Sequence, residues 1–282
     1  MYETFYHLQA RPFQLSPDPH FFFSSRGHRR AVAYLVYGAH QGEGFIVITG
    51  EIGAGKTMLA ATLAQKLASQ NLVTAQVVST RLGADDMVRM VVAALGLQQS
   101  DSKAVLLDRL NQYLLACARQ GKRVLLIVDE AQNLPSTSVE ELRMLSNFVH
   151  AGRPLLQTFL LGQPEFRKTL RGPDMEQLRQ RIIASCHLGP MDSAETEAYI
   201  LHRLRTAGWR DDPVFRPDAF ASIHEHTCGI PRRINIVCDR LLLMGCLDKK
   251  HELTGVDVSE VVGEMQQELV HEDRRVEQEG EI

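Results

Sequence analysis

The stretch Gly50-Glu51-Ile52-Gly53-Ala54-Gly55-Lys56-Thr57 constrains this chain more than any other feature in it. A glycine, four residues and then Gly-Lys-Thr is the phosphate-binding P-loop pattern. Its chemistry dictates its residue types. Backbone N–H groups must converge on phosphate oxygens, and a Cβ at the glycines would obstruct that approach. Lys56 can bridge β- and γ-phosphates, and the Thr57 hydroxyl can ligate Mg2+. Upstream, Phe45 to Thr49 is a short apolar run of strand type. Downstream, Met58-Leu59-Ala60 and the residues to Leu67 are good helix formers, so the phosphates would sit at a helix N-terminus. The expectation is a nucleoside triphosphate with Mg2+, held along Gly50, Glu51, Ile52, Gly53, Ala54, Gly55, Lys56, Thr57 and Met58. A plain glycine-rich turn is the bland alternative, and the strand before and helix after weigh against it.

Around that loop, strands alternate with helices, which predicts a parallel sheet with crossover connections. The expected strands are Phe45–Thr49, Leu72–Ser79, Val124–Val128, Leu155–Leu161 and Ile182–Leu188, with helices near 84–95, 102–119 and 137–149. Val124 to Val128 is apolar throughout, as a strand buried on both faces requires. Beyond Gly189-Pro190 everything to about residue 270 reads as helix without a convincing strand. The predicted organisation is an N-terminal arm and linker helix at 1–44 and a P-loop α/β domain at 45–190. A helical lid at 191–270 and a charged tail at 271–282 would follow. A chain of 282 residues with 44% hydrophobic residues has material for such a large domain and a smaller one. The formal net charge of −3 argues against a strongly basic nucleic-acid binder. Five scattered Cys without a CxxC pair fit a reducing, cytoplasmic setting. No apolar run reaches the length of a membrane span, and the first residues lack the charged and apolar regions of a signal peptide.

A second constellation, Asp129-Glu130-Ala131-Gln132, ends the third strand. A carboxylate placed there in a P-loop enzyme holds Mg2+, and a neighbouring one polarises the attacking water. Asp129 is assigned to the metal with Thr57, and Glu130 to water activation. Adjacent residues of a strand point to opposite faces, so the two carboxylates would have separate jobs. Gln163, in Gly162-Gln163-Pro164 after the fourth strand, could sense the γ-phosphate or orient water between it and Glu130, with Thr158 as competitor and an ordinary turn residue as the bland alternative. In Gln177-Leu178-Arg179-Gln180-Arg181, a solvated helix face is the ordinary reading. Arg181, preferred to Arg179, could instead reach a neighbouring subunit's γ-phosphate. Gly229-Ile230-Pro231-Arg232-Arg233 opens a helix. Pro231 and Arg232 could close over the nucleotide, with Arg233 paired to an acidic neighbour. Apolar residues between Phe13 and Phe23, with Ile230 and Pro231, are the expected grip on the adenine.

Taken together, the P-loop, the DEAQ motif, the polar sensor, the trans-acting arginine and the GIPR segment resemble the AAA+ ATPases over roughly residues 2 to 270. The N-terminal stretch narrows this further. Tyr6-His7-Leu8, then Arg11-Pro12-Phe13 through Pro19, Phe21-Phe22-Phe23-Ser24 and Ser25-x-x-His28-x-x-Ala31 are similar to the A component of the bacterial general secretion pathway. They are also similar to its relatives in pilus assembly and exosortase-linked exopolysaccharide systems. The phrase Leu160 to Phe166 points the same way. The resemblance implies an α/β P-loop AAA+ fold, a five-stranded parallel sheet sandwiched by helices with a small helical lid. It also implies a homo-oligomeric ring ATPase serving envelope export or secretion machinery, cytoplasmic and associated with the inner membrane through partners. Many secretion members continue into a membrane span and a peptidoglycan-binding domain; their lack here favours the exosortase-linked branch or a truncated chain. Two other classes stay open. A DNA-associated regulator of transposition targeting or replication initiation shares these motifs, and Arg26-x-x-Arg29-Arg30 is the dense basic stretch it would use. A nucleotide-gated scaffold would bind without hydrolysing, which Glu130 counts against.

Overall fold

A computed structural model of the protein describes residues 1–41, 44–68, 71–78 and 83–279. The chain divides into two compact units, residues 26–189 and residues 1–25 together with 190–282. The stretch at 1–44 that the sequence sets apart is thus shared between them. Residues 1–25 belong to the unit containing the lid segment, and the linker helix belongs to the P-loop unit.

In the P-loop unit, β1 (Phe45–Gly50), β2 (Leu72–Val78), β3 (Arg123–Asp129), β4 (Leu156–Gly162) and β5 (Ile182–Leu188) form one sheet. Its order is β2-β3-β4-β1-β5 and every pairing is parallel. Burial follows position in the sheet. The central strands β1 and β4 are buried at every residue, whereas edge strand β5 alternates toward its end and leaves Ser185 and His187 exposed. Unbroken burial therefore marks the centre of the sheet and mixed burial its edges. The flanking helices are α1 (Arg26–Gln41), α2 (Lys56–Ala68), α3 (Ala84–Ala94), α4 (Lys103–Arg119), α5 (Ser136–Leu145) and α6 (Pro164–Leu170). Helical periodicity selects their buried faces: α4 buries Leu106, Leu110, Leu114 and Cys117, one stripe of a 3.6-residue repeat. Helix α5 stops at Leu145 rather than near 149. Val149–His150 instead pairs antiparallel with Arg153–Pro154 across Ala151 and Gly152, both at positive φ. The expected end of the second strand, Ser79, lies outside the described residues.

The other unit carries α7 (Ser193–Thr206), α8 (Pro217–Thr227), α9 (Pro231–Leu247) and α10 (Gly255–Glu279). Asp192 caps α7 by accepting from Glu195 N at 2.8 Å. Helices α8 and α9 each begin on a proline, where the missing N–H matters least. Gly229 sits at φ 67°, and a Cβ there would meet Met191 O at 2.0 Å, so only glycine fits before α9. Contrary to the all-helical expectation, Val214–Phe215 pairs parallel with Glu252–Leu253. Residues 280–282 of the expected tail lie outside the described residues, and α10 runs past 270 to Glu279.

The N-terminal arm is part of this unit's core. Tyr2, Tyr6, Phe13 and Phe21 are buried with Ile200, Leu204, Ile234, Leu241 and Val258. Tyr6 Oη donates to Lys250 O at 2.9 Å, and Tyr2 Oη donates to Asp239. Arg203 from α7 organises the aperiodic segment. Its guanidinium is buried, donates to Pro12 O, Gln14 O and Tyr199 Oη, and lies 5.1 Å from the Phe21 ring centre. Backbone carbonyls that no helix or strand satisfies thereby find donors.

Candidate active site

Sheet order brings the motifs together. Strands β3, β4 and β1 are neighbours, and their carboxyl ends carry Asp129, Gly162-Gln163 and the P-loop. In open parallel sheets, ligands lie in the crevice beyond those ends.

The loop from Gly50 to Gly55 turns through positive φ at Gly53 (80°) and Gly55 (89°) and enters α2 at Lys56. Cβ atoms are excluded twice. One at Gly50 would approach Leu188 O to 2.7 Å, and one at Gly55 would approach His28 Nε2 to 3.1 Å. Glu51 and Ile52 are exposed, Ala54 is buried, and Thr57 and Met58 are half-buried. Lys56 is buried, with Nζ donating to Gly50 O at 2.9 Å and Glu51 O at 3.0 Å. Burial pushes its pKa below the ordinary lysine value, while Glu130, Asp129 and Glu51 oppose that shift. The cation is thus partly stripped of water and balanced by carboxylates, the setting in which a phosphate interaction is strongest.

Thr57 Oγ1 donates to Asp129 Oδ2 at 2.6 Å. The two residues expected at the metal are therefore in contact although 72 positions apart. Among the described residues no three His, Cys, Asp or Glu side chains cluster as a metal cage. That suits Mg2+, which takes one or two protein oxygens and fills its octahedron with phosphate and water. The residues present fit the group: a glycine cradle, a lysine, and a hydroxyl beside a carboxylate.

Glu130 does not continue the strand. It adopts the left-handed conformation at φ 54°, so the turn, and not strand alternation, separates its direction from that of Asp129. Asp129 Oδ1 accepts the Glu130 N–H at 2.9 Å and holds that turn. Two amides then converge on Glu130 Oε2. Gln132 Nε2 reaches it at 2.5 Å and Gln163 Nε2 at 3.2 Å, while Gln163 N donates to Gln132 Oε1 at 2.9 Å. Gln163 thus lies just past the carboxyl end of β4, in contact with Glu130 and Gln132. Thr158 is buried within β4 opposite Leu126 and Phe45, away from the carboxyl end, and its hydroxyl has no partner among the described residues. Sequence reasoning gave Gln132 no role, because it serves only spatial neighbours, the Glu130 carboxylate and the Gln163 N–H.

The remaining candidates are placed as follows. Arg181 is half-buried, its Nη1 donating to Ser146 Oγ at 2.5 Å. Exposed Arg179 donates to Leu170 O at 2.8 Å and Gly172 O at 2.7 Å. Pro231 is the first residue of α9 in the other unit, and Arg232 and Arg233 follow it exposed, without ion pairs among the described residues. Phe13, Phe21 and Ile230 are buried in that unit's own packing, whereas Phe22 and Phe23 are half-buried.

The chain matches known proteins in both sequence and fold. Residues 39–170 match the AAA domain family. Over 261 residues the chain is 37% identical to general secretion pathway protein A of Aeromonas hydrophila, covering 92% of this chain and 47% of that protein. The chain therefore spans about half the length of that relative. Among solved structures, the ORC2 protein of Aeropyrum pernix superimposes with a TM-score of 0.71 at 19% identity, over 91% of this chain and 72% of that one. The Holliday junction branch migration motor RuvB of Thermotoga maritima gives 0.55 at 17% identity, over 90% and 72%. These two likenesses establish the fold alone.

Proposed function

This chain belongs to the AAA+ ATPases, and on that premise we propose that it hydrolyses ATP with Mg2+ to drive a bacterial envelope export or secretion system. The observation that carries the chemistry is the convergence at three adjacent strand ends. Thr57 meets Asp129 there, and Glu130 is held by Gln163 beside the P-loop. Bound Mg2+–ATP supplies a phosphoanhydride whose charge the metal partly neutralises. The chain's own groups do the rest. P-loop amides and Lys56 hold the phosphates, and Thr57 and Asp129 hold the metal. Glu130 takes the proton of the attacking water as general base, and Gln163 orients that water. We further infer that Arg181 completes the site of a neighbouring subunit in a homo-oligomeric ring.

The secretion role rests on the likeness to general secretion pathway protein A. The finer assignment, an exosortase-linked exopolysaccharide system, rests on the N-terminal motifs. We place the protein in the cytoplasm, associated with the inner membrane through partners. Among the described residues no helix is long and apolar enough to cross a membrane.

Fluorescent-nucleotide binding and phosphate release test the reading together. Lys56→Ala should lose tight ATP binding. Glu130→Gln should keep it and lose turnover by about a hundredfold or more, the scale of a missing general base. Equal loss of binding in both variants would overturn the division of roles. Turnover strongly raised by duplex DNA would move the protein to the DNA-associated class.

A further inference from the structure

Strand β5 is an edge strand: it pairs with β1, and among the described residues nothing pairs with its other side. Natural edges are usually blunted by lysine, proline or a covering element, because an unpaired row of N–H and C=O groups templates another strand. The sequence Ile182-Ile183-Ala184-Ser185-Cys186-His187-Leu188 has neither residue. Its one irregularity is a register shift near its start, after which Ala184 to Leu188 runs regularly beside Ile46 to Gly50.

Two cavities flank this edge, and both are lined by Ser185, Cys186 and His187. One, of about 390 Å3, is completed by α1 through Gly27, Arg30, Ala31 and Tyr34. The other, of about 320 Å3, is completed by α6 and the segment after it, with Arg167, Arg171 and Arg179 at its walls. They open on opposite faces of the sheet. Gly38 of α1 packs on Ile46 and Ala184, whereas Val47 and Thr49, of the other parity, line the second cavity. Neither cavity is lined by a carboxylate. Among the described residues no acidic side chain pairs with Arg30, Arg167, Arg171 or Arg179. In a protein of net charge −3, this edge is locally and uncompensatedly basic.

We propose that β5 is a docking edge for an extended acidic peptide of a partner protein, which adds a sixth strand to the sheet. Alternate side chains of an added strand point to opposite faces. An added strand would thus deliver acidic side chains into both cavities at once, one set toward Arg30 and the other toward Arg167, Arg171 and Arg179. Main-chain hydrogen bonds would supply affinity and the arginine cavities the selection for acidic residues, the division of labour of strand-addition complexes. The Thr49 hydroxyl lies 3.1 Å from His187 Nδ1, so the docking edge is tied to the residue before the P-loop glycine. This inference rests on the sheet and its edge, not on ATP hydrolysis.

The test uses fluorescence anisotropy of a labelled peptide alternating Glu and Thr, with the full-length protein. Saturable binding is expected, weakened about tenfold or more in the Arg167→Glu/Arg171→Glu protein, because each reversed charge opposes the acidic strand. ADP binding measured in parallel shows that this variant is folded. Ser185→Pro should abolish peptide binding by removing a strand N–H; Ser185→Lys, which leaves the backbone intact, should weaken it. Equal binding of the same peptide interrupted by proline would overturn strand addition, since charge alone would then account for the complex. Absence of binding to the alternating peptide, or equal binding of its Lys-for-Glu counterpart, would overturn the proposal outright. Self-association lost in the Arg167→Glu/Arg171→Glu variant would replace the acidic partner with a second copy of the chain.

Discussion

Gln132 holds two neighbours at once, the Glu130 carboxylate through Nε2 and the Gln163 backbone N–H through Oε1. It touches no reacting atom, so it is a positioning residue. Replacing it with Leu removes one of the two amides on Glu130 and leaves the Gln163 N–H without its partner. Turnover should fall about tenfold, the order of a lost charge-assisted hydrogen bond, while nucleotide affinity stays unchanged. A matching loss of affinity would show that Gln132 supports the loop and not the carboxylate. The thiols allow a pH test. Burial pushes Cys186 up to about 11, whereas Cys228 is exposed. At pH 8 about one Cys186 thiol in a thousand is ionised, so a thiolate-selective reagent should label Cys228 first. Cys186 labelling should accelerate as pH rises toward 11; rapid Cys186 labelling at pH 8 would mean that its surroundings open. At this scale the P-loop was legible because its chemistry is local: glycines, a lysine and a hydroxyl in eight consecutive residues. Gln132 was not, because the N–H it serves lies 31 positions away, just past the end of the neighbouring strand.

Among the elements, the arm is the one whose partners its own sequence declares least. An aperiodic stretch rich in proline and aromatics has no pattern to declare a face, so an adenine-gripping cover was a natural reading. The structure buries Tyr2, Tyr6, Phe13 and Phe21 and turns the carbonyls of Pro12 and Gln14 toward Arg203. No local signal on α7 marks this arginine, whose partners lie about 190 residues earlier. Arg203→Met keeps the length and removes the donors, leaving Pro12 O, Gln14 O and Tyr199 Oη without them. We expect a loss of about 2–3 kcal/mol in urea unfolding of the helical unit, the scale of stranded buried acceptors. An unchanged midpoint would mean that the arm is held by its rings alone. Deleting residues 1–24 removes the buried rings as well, so proteolysis should then cut within 190–279 while 26–189 stays protected. The strands, by contrast, were read within a residue or two, since burial on both faces leaves an apolar run that needs no partner to be recognised.

For the whole molecule the open quantity is whether one chain contains a complete site. Arg181 is tied to Ser146 in its own chain, so acting in trans requires it to leave that hydroxyl. If it does, ATPase activity per chain should rise with protein concentration. Arg181→Ala should then bind ATP normally and hydrolyse it about a thousandfold more slowly. Mixing Arg181→Ala with Glu130→Gln should restore part of the turnover, because some interfaces pair an intact arginine with an intact glutamate. Concentration-independent activity with no rescue would reduce Arg181 to a tie between β5 and α5. The discontinuous helical unit bears on how the molecule is made. Its first 25 residues leave the ribosome before the P-loop unit, but the residues that cover them belong to the last third of the chain. Tyr2 waits for Asp239 and Tyr6 for Lys250, so contacts of very long sequence separation close last. The nucleotide-binding unit can finish folding in the meantime while the aromatic arm stays uncovered. During synthesis the N-terminus is therefore the segment most in need of a chaperone, and a ribosome stalled after residue 189 would expose it.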